Sequence, residues 1–196
     1  MNQHSERQKQ IIQAAIELIA QQSIQELTIK NLSAKIGVTE AALYRHFSSK
    51  MEIVLAILEF FKTNTAQLLE QVEQLQLSPL EKIVIIFRNR FKIFQEKPSL
   101  AAVIFSEEIF QNDQRLSSLV YEIMNFSLHT IVVLIEQGQK DGSIRSDIDK
   151  EDLAMIMVGG LRLLVTRWRL SKWGFDLQDR GEGYIQSLLT LIENKP

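Results

Sequence analysis
The tightest constraint on this chain is where its helix breakers fall. Three prolines and eight glycines are spread over 196 residues, and most lie between stretches in which apolar side chains recur every three or four positions. That spacing is the period of an α-helix with one buried face, and the two-residue alternation of a strand is nearly absent. The pattern predicts an all-α chain of about nine helices. The first, over 6–22, carries Ile11, Ile12, Ala15, Leu18 and Ile19 on one face, with Ser5 as its N-cap. Thr28 caps a second helix reaching Ile36, where Gly37 stops it; Thr39 caps a third, to about Phe47; Ser49 caps a long fourth from Lys50 into the low seventies. Ser78-Pro79 starts a fifth, with proline at the first helical position. Pro98 begins a shorter helix to about Phe110, and Asp113 opens a long one ending near Gly142. After a loop over 142–149, two last helices occupy 150–172 and 179–193, the latter burying Ile185, Leu188, Leu189 and Ile192.

Composition narrows the class. At 45% apolar residues the chain has enough to build a core, so disorder is excluded. The absence of cysteine removes disulfides, thiolate catalysis and cysteine-based metal sites, and fits a reducing cytoplasm. The polar start, Met1 to Gln10, does not read as a secretory signal. The apolar stretch from Leu153 to Trp168 is interrupted by Arg162 and Arg167 and is too short and too charged to span a bilayer. The expectation is a soluble, cytoplasmic protein. Charge is uneven: residues 1–50 hold six Lys/Arg against four acids, the remainder sixteen against twenty. The sign suits an N-terminus that faces nucleic acid.

The informative stretch is residues 28–53, TIKNLSAKIGVTEAALYRHFSSKMEI. Two short helices are joined by a tight turn. Leu32, Ile36, Val38, Leu43 and Phe47 supply the contacts that fix their angle, Ser33 and Ala34 are small enough for close approach, and Gly37 sits where the chain leaves a helix with positive φ. This is helix-turn-helix geometry. The second helix of such a pair enters the major groove by its N-terminal end, here Thr39, Glu40, Ala41 and Ala42, with Tyr44, Arg45 and His46 one turn on. The hydroxyls of Thr39 and Tyr44 can donate to phosphate, and Lys50 can reach the same strand. The helix N-terminus also favours an anion. Arg45 can fork onto a guanine edge, Glu40 can accept from cytosine N4, and Ala41 and Ala42 leave room for thymine methyls. Lys30 can reach a base or a phosphate. Thr28, heading the pair, is counted with these, and His46 reads as a phosphate contact or a packing group.

At these residues the resemblance becomes specific. Thr28, Leu32, Gly37-Val38-Thr39, Leu43-Tyr44, His46-Phe47 and Lys50 match the signature of the TetR family of transcriptional regulators. Ser33 stands where alanine is commoner, and Met51 where an acid is frequent. The run from Gly142 to Asp149, then a long helix ending in Trp168 and Trp173, then Gly174-Phe175-Asp176-Leu177, is similar to that family's approach to its two dimer helices. The resemblance implies a DNA-binding domain over 1–50 and a helical ligand-sensing and dimerisation domain over 51–196. It implies a homodimer through 150–172 and 179–193 on a palindromic operator, and a repressor that a small-molecule effector releases by shifting the fourth helix. Two half-sites one helical turn apart need recognition helices about 34–36 Å apart, so a small pivot loses both sets of contacts.

The central helices are rich in phenylalanine: Phe87, Phe91, Phe94, Phe105, Phe110 and Phe126. Core packing alone explains such a set. A sensor cavity also needs walls, and these side chains with Tyr121, Met124 and a polar anchor at His129 are the candidates, which would make the ligand largely apolar. His129 among Leu128, Ile131, Val132 and Val133 equally fits a satisfied core histidine. Gly159-Gly160 costs helix stability, about 1 kcal/mol each, and is either tolerated or needed for a close helix contact within or between subunits. Arg162, Arg167 and Arg169 read as a solvated or interface face. Glu107-Glu108 lacks further metal ligands and reads as a solvated turn, and His46 lacks the partner a catalytic base needs. No nucleophile–base pair, phosphate loop or metal spacing appears, so catalysis, metals and cofactors are not expected. The rival reading is a DNA-organising or partner-binding protein on the same fold, without an inducer. A filled core would favour it, and a cavity of about 300 Å³ or more would favour a sensor.

Overall fold
The computed structural model describes residues 5–21, 24–105 and 113–194; His4, Glu107, Glu108 and Phe110 lie outside them. Nine helices occupy the described residues: α1 Glu6–Gln21, α2 Ile29–Ile36, α3 Glu40–Tyr44, α4 Lys50–Glu73, α5 Pro79–Glu96, α6 Pro98–Ile104, α7 Gln114–Asp141, α8 Lys150–Leu170 and α9 Leu177–Ile192. No strand appears among these residues, only one isolated bridge between Ile144 and Glu193. The architecture is the all-α one that the periodicity predicts.

The helix starts follow from local chemistry. Ser5 and Gln8 form a reciprocal capping box: Gln8 N–H donates to Ser5 Oγ at 3.2 Å and Ser5 N–H to Gln8 Oε1 at 2.9 Å. Ser78 and Glu81 repeat the device ahead of Pro79, and Ser49 Oγ accepts from Glu52 N–H. Several boundaries shift from the sequence reading, and two have a clear local cause. The third helix closes at Tyr44, and the chain reaches Phe47 through a turn in which His46 and Phe47 N–H both donate to the Leu43 carbonyl. The last helix begins at Leu177, because Asp176 accepts from Asp179 N–H at 2.7 Å and so acts as its cap.

The chain divides into two compact units, Met1–Thr63 with Lys97–Tyr121, and Asn64–Glu96 with Glu122–Pro196. In the first, α1 packs on α2 and α6, and Ile11, Ala15, Leu27, Leu32, Leu43, Ile53 and Leu58 are buried. In the second, α5 and α8 pack on α9 around Phe87, Phe91, Met157, Val165, Leu177 and Ile185; Leu189 is only half-buried. Gly160 and Gly181 permit this packing: a Cβ on Gly160 would overlap the Tyr184 ring, and one on Gly181 the Phe91 ring. Tyr184 Oη donates to the Met157 carbonyl at 2.6 Å. Gly159 faces open space, so only the second of the paired glycines answers a contact within the chain.

One described helix, α7, is long and apolar enough to cross a membrane by length and composition, whereas the sequence reading weighed only the stretch from Leu153 to Trp168 and found it too short and too charged. Its residues Leu116, Val120, Ile123, Ile131, Leu134 and Ile135 are buried, a third of its most apolar stretch being buried in all.

Candidate nucleic-acid interface and ligand cavity
The turn that joins α2 to α3 is built as its sequence demands. Thr28 caps α2, its side chain accepting from Asn31 N–H at 3.1 Å. Gly37 ends the helix at φ 75°, and its N–H donates to the Ala34 carbonyl, while Val38 N–H donates to Ser33 O at 3.0 Å. A β-carbon is disfavoured at this φ, which is why glycine stands there. Thr39 caps α3, accepting from Ala42 N–H at 3.2 Å; its hydroxyl proton is left to donate elsewhere. Leu32 and Leu43 are fully buried between the helices and Phe47 nearly so. Ser33 is buried too, its hydroxyl donating to the Lys30 carbonyl at 2.9 Å, whereas Ala34 faces outward.

With Leu43 turned inward, α3 presents the other side of the helix to solvent. Thr28, Lys30, Thr39, Glu40, Ala41, Tyr44 and Arg45 are exposed, and Ala42 and His46 half-buried. Tyr44 keeps half its surface accessible. The side chains of Lys30, Glu40, Tyr44 and Arg45 make no hydrogen bond or ion pair among the described residues, so their polar ends are available to a partner. Tethers from neighbouring segments steady this surface: Gln8 Nε2 donates to the His46 carbonyl at 3.3 Å, and Lys35 pairs with Glu17 at 3.4 Å. Lys50 differs from its predicted neighbours. It is half-buried, its Nζ donates to the Ile24 carbonyl at 3.1 Å, and desolvation lowers its pKa from the ordinary lysine value. It ties the start of α4 to the segment after α1.

The pocket candidates separate. Phe87, Phe91 and Phe94 are core residues, each 2% exposed or less. Phe105 is half-buried and Tyr121 is 66% exposed; both belong to the first unit. Met124 is 41% exposed and accepts a weak contact from Arg162 at 3.9 Å. Phe126 and His129 alone of the set line a cavity of about 440 Å³ in the second unit. Its other walls are Ala66, Leu69, Glu70, Val72 and Glu73 of α4, Lys82 and Ile86 of α5, and Thr130, Val133, Leu134 and Gln137 of α7. The sequence hides the α4 and α5 walls because an inward apolar residue has the same period whether it meets a side chain or a void. The volume lies within the range of small-molecule sites. No group of three or more His, Asp or Glu among the described residues is placed to hold a metal.

The second unit also carries an apolar seam. Met155, Ile156, Leu163 and Leu170 of α8 are 58–80% exposed, and Gly159 lies in the same seam facing open space. On α9, Gly183 is likewise open and Leu191 is 61% exposed.

Comparison with known proteins agrees with this layout. Residues 11–57 match the family model described as bacterial regulatory proteins, tetR family, and residues 59–191 match that of the YsiA-like protein, C-terminal region. A fatty acid metabolism regulator protein from Bacillus subtilis is 23% identical over the full length of both chains. The nucleoid occlusion factor SlmA of Marinobacter nauticus is 29% identical over 81% of this chain and 83% of its own. The crystal structure of the transcriptional regulator FadR from Bacillus subtilis, in complex with stearoyl-CoA, superposes with a TM-score of 0.76 at 22% identity, covering 93% of this chain and 97% of that one. The chain belongs to the TetR family of bacterial regulatory proteins and is a DNA-binding regulator of transcription.

Proposed function
We propose that this protein is a cytoplasmic, non-enzymatic homodimeric repressor, released from a palindromic operator by a small, largely apolar ligand bound between α4, α5 and α7. Residues 1–50 serve as the DNA-binding domain and residues 51–196 as the sensing and dimerisation domain. Tyr44 and Thr39 hold phosphate, Lys30 reaches a base or a phosphate, Arg45 and Glu40 read base edges, Ala41 and Ala42 admit thymine methyls, and Thr28 and His46 flank the contact. Lys50 acts from the start of α4, where its bond to the Ile24 carbonyl sets the position of that helix. The seam of Ile156, Gly159, Leu163 and Leu170, with Gly183 and Leu191, supports pairing through α8 and α9, since an exposed apolar stripe at helical spacing gains by meeting its own copy.

The cavity carries the sensor reading. A half-open cavity of about 440 Å³ with apolar walls offers a small molecule a place to bind, which a protein that only organises DNA does not need. Its walls include apolar Ala66, Leu69, Val72, Ile86, Phe126, Val133 and Leu134. The relative crystallised with stearoyl-CoA supports a ligand with a long apolar part. α4 holds both a wall of the cavity and, in its first turn, Lys50 and Glu52. A ligand that displaces this helix therefore displaces its first turn. The likeness to a nucleoid occlusion factor favours a second reading, DNA organisation without an inducer. Selection of bound genomic fragments, followed by a screen for compounds that release them, separates the two. Recovery of a palindrome together with a releasing compound is expected; a ligand-insensitive complex with dispersed sites would favour the second reading.

A further inference from the structure
The cavity between α4, α5 and α7 has an uneven rim, and that unevenness says something about the head of the ligand. Its floor is aliphatic and aromatic, but Glu70 and Glu73 stand at the edge, both exposed and without an ion pair or hydrogen bond from their carboxylates among the described residues. Lys82, the lysine of the lining, is already engaged, because its Nζ donates to the Glu73 main-chain carbonyl at 2.9 Å. Glu73 is the last residue of α4, so the lysine charge is set against the negative end of the helix dipole and its unsatisfied carbonyls. The remaining polar groups of the lining are His129, Thr130 and Gln137.

We propose that this cavity selects an amphipathic ligand with an apolar body and a cationic head, the body lying among Leu69, Ile86, Phe126 and Leu134 and the head held at the rim by Glu70 and Glu73. The proposal rests on the sensor reading above and deepens it. An anionic head of the same body meets two carboxylates and a helix C-terminus at the mouth, against the one lysine charge of Lys82, which is turned onto that terminus. Each exposed carboxylate contributes only a modest attraction to a cation and a similar repulsion of an anion. Two of them acting in both directions separate matched cationic and anionic ligands by about tenfold in affinity. The separation shrinks as salt rises, because exposed charges are screened over about 10 Å at 0.1 M.

The test uses the full-length protein bound to its selected operator fragment and three ligands with one chain: decyltrimethylammonium, decanol and decanoate. Binding is measured by calorimetry and DNA release by fluorescence anisotropy. Decyltrimethylammonium is expected to bind about tenfold more tightly than decanoate, with decanol between them. The double variant Glu70→Gln, Glu73→Gln, whose changes fall on exposed positions, is expected to keep operator affinity and to bring the three ligands together. Decanoate binding as well as or better than the ammonium compound, or an unchanged order in the variant, overturns the cationic head while leaving the sensor reading intact. Failure of all three to bind also overturns the cationic head, and the screen for releasing compounds decides the sensor reading separately.

Discussion
At the scale of single residues, the contacts proposed for α3 and Arg45 divide into base readers and phosphate holders. Arg45 is exposed and unengaged among the described residues. We expect Arg45→Ala to relax preference at one base position per half-site, by about 1–3 kcal/mol, in a selection of bound sequences. Tyr44→Phe should weaken binding to all sequences alike without changing stability, since half of Tyr44 is already in solvent. Lys50→Ala should do both, because it also removes a bond to the Ile24 carbonyl; urea titration beside DNA titration distinguishes the two. The paired glycines give a second residue-level contrast. Gly160→Ala drives a methyl into Tyr184 and should cost about 1–3 kcal/mol of overpacking. Gly159→Ala meets nothing within its own chain and should not lower the intrinsic stability of the subunit. Legibility at this scale followed locality. Thr28, Gly37, Thr39, Leu32 and Leu43 were readable because caps, a left-handed glycine and two buried leucines are decided within a dozen residues of chain. Phe87 and Phe91 could not be assigned to core or cavity, because that depends on what the other helices bring opposite them.

At the scale of elements, ion pairs join helices distant in sequence. Arg88 of α5 grips Glu182 of α9, its Nε donating to Oε2 at 2.7 Å, and this bond lowers the Glu182 carboxyl to about 2. A carboxylate whose pKa is depressed by folding adds stability that is present above its ordinary value of 4.5 and lost as pH falls toward 2. The two side chains are 53% and 41% exposed, so solvent screening limits the term to about 1 kcal/mol or less. Glu182→Gln should flatten that part of the stability profile between pH 4.5 and 2 in a series of thermal melts. A second pair links Arg115 of α7 to Glu52 in the first turn of α4 at 2.6 Å, with Asp113 holding the other side of the guanidinium at 2.7 Å. Both α4 and α7 go on to wall the cavity. Arg115→Ala should therefore leave ligand affinity nearly unchanged while reducing the DNA release each ligand produces, read by anisotropy at saturating ligand. Helix existence was legible from period and caps. The partners of Arg88 and Arg115 were not, since charges 63 and 94 residues away leave no local trace.

At the scale of the whole molecule, the consequence of one copy meeting another rests on the α8 seam. We expect Leu163→Glu to convert the dimer to monomers in light scattering at micromolar concentration and to abolish tight operator binding, because each half-site alone holds the protein weakly. The seam of Ile156, Gly159, Leu163 and Leu170 is aliphatic side chains and a glycine, with exposed Arg167 beside it between Leu163 and Leu170. Its apolar part attracts without discriminating, since partner choice needs repulsive elements as well as attractive ones. A bacterium that keeps several paralogues with comparable stripes would thus assemble mixed pairs, each reading a hybrid operator and answering to two effectors at once.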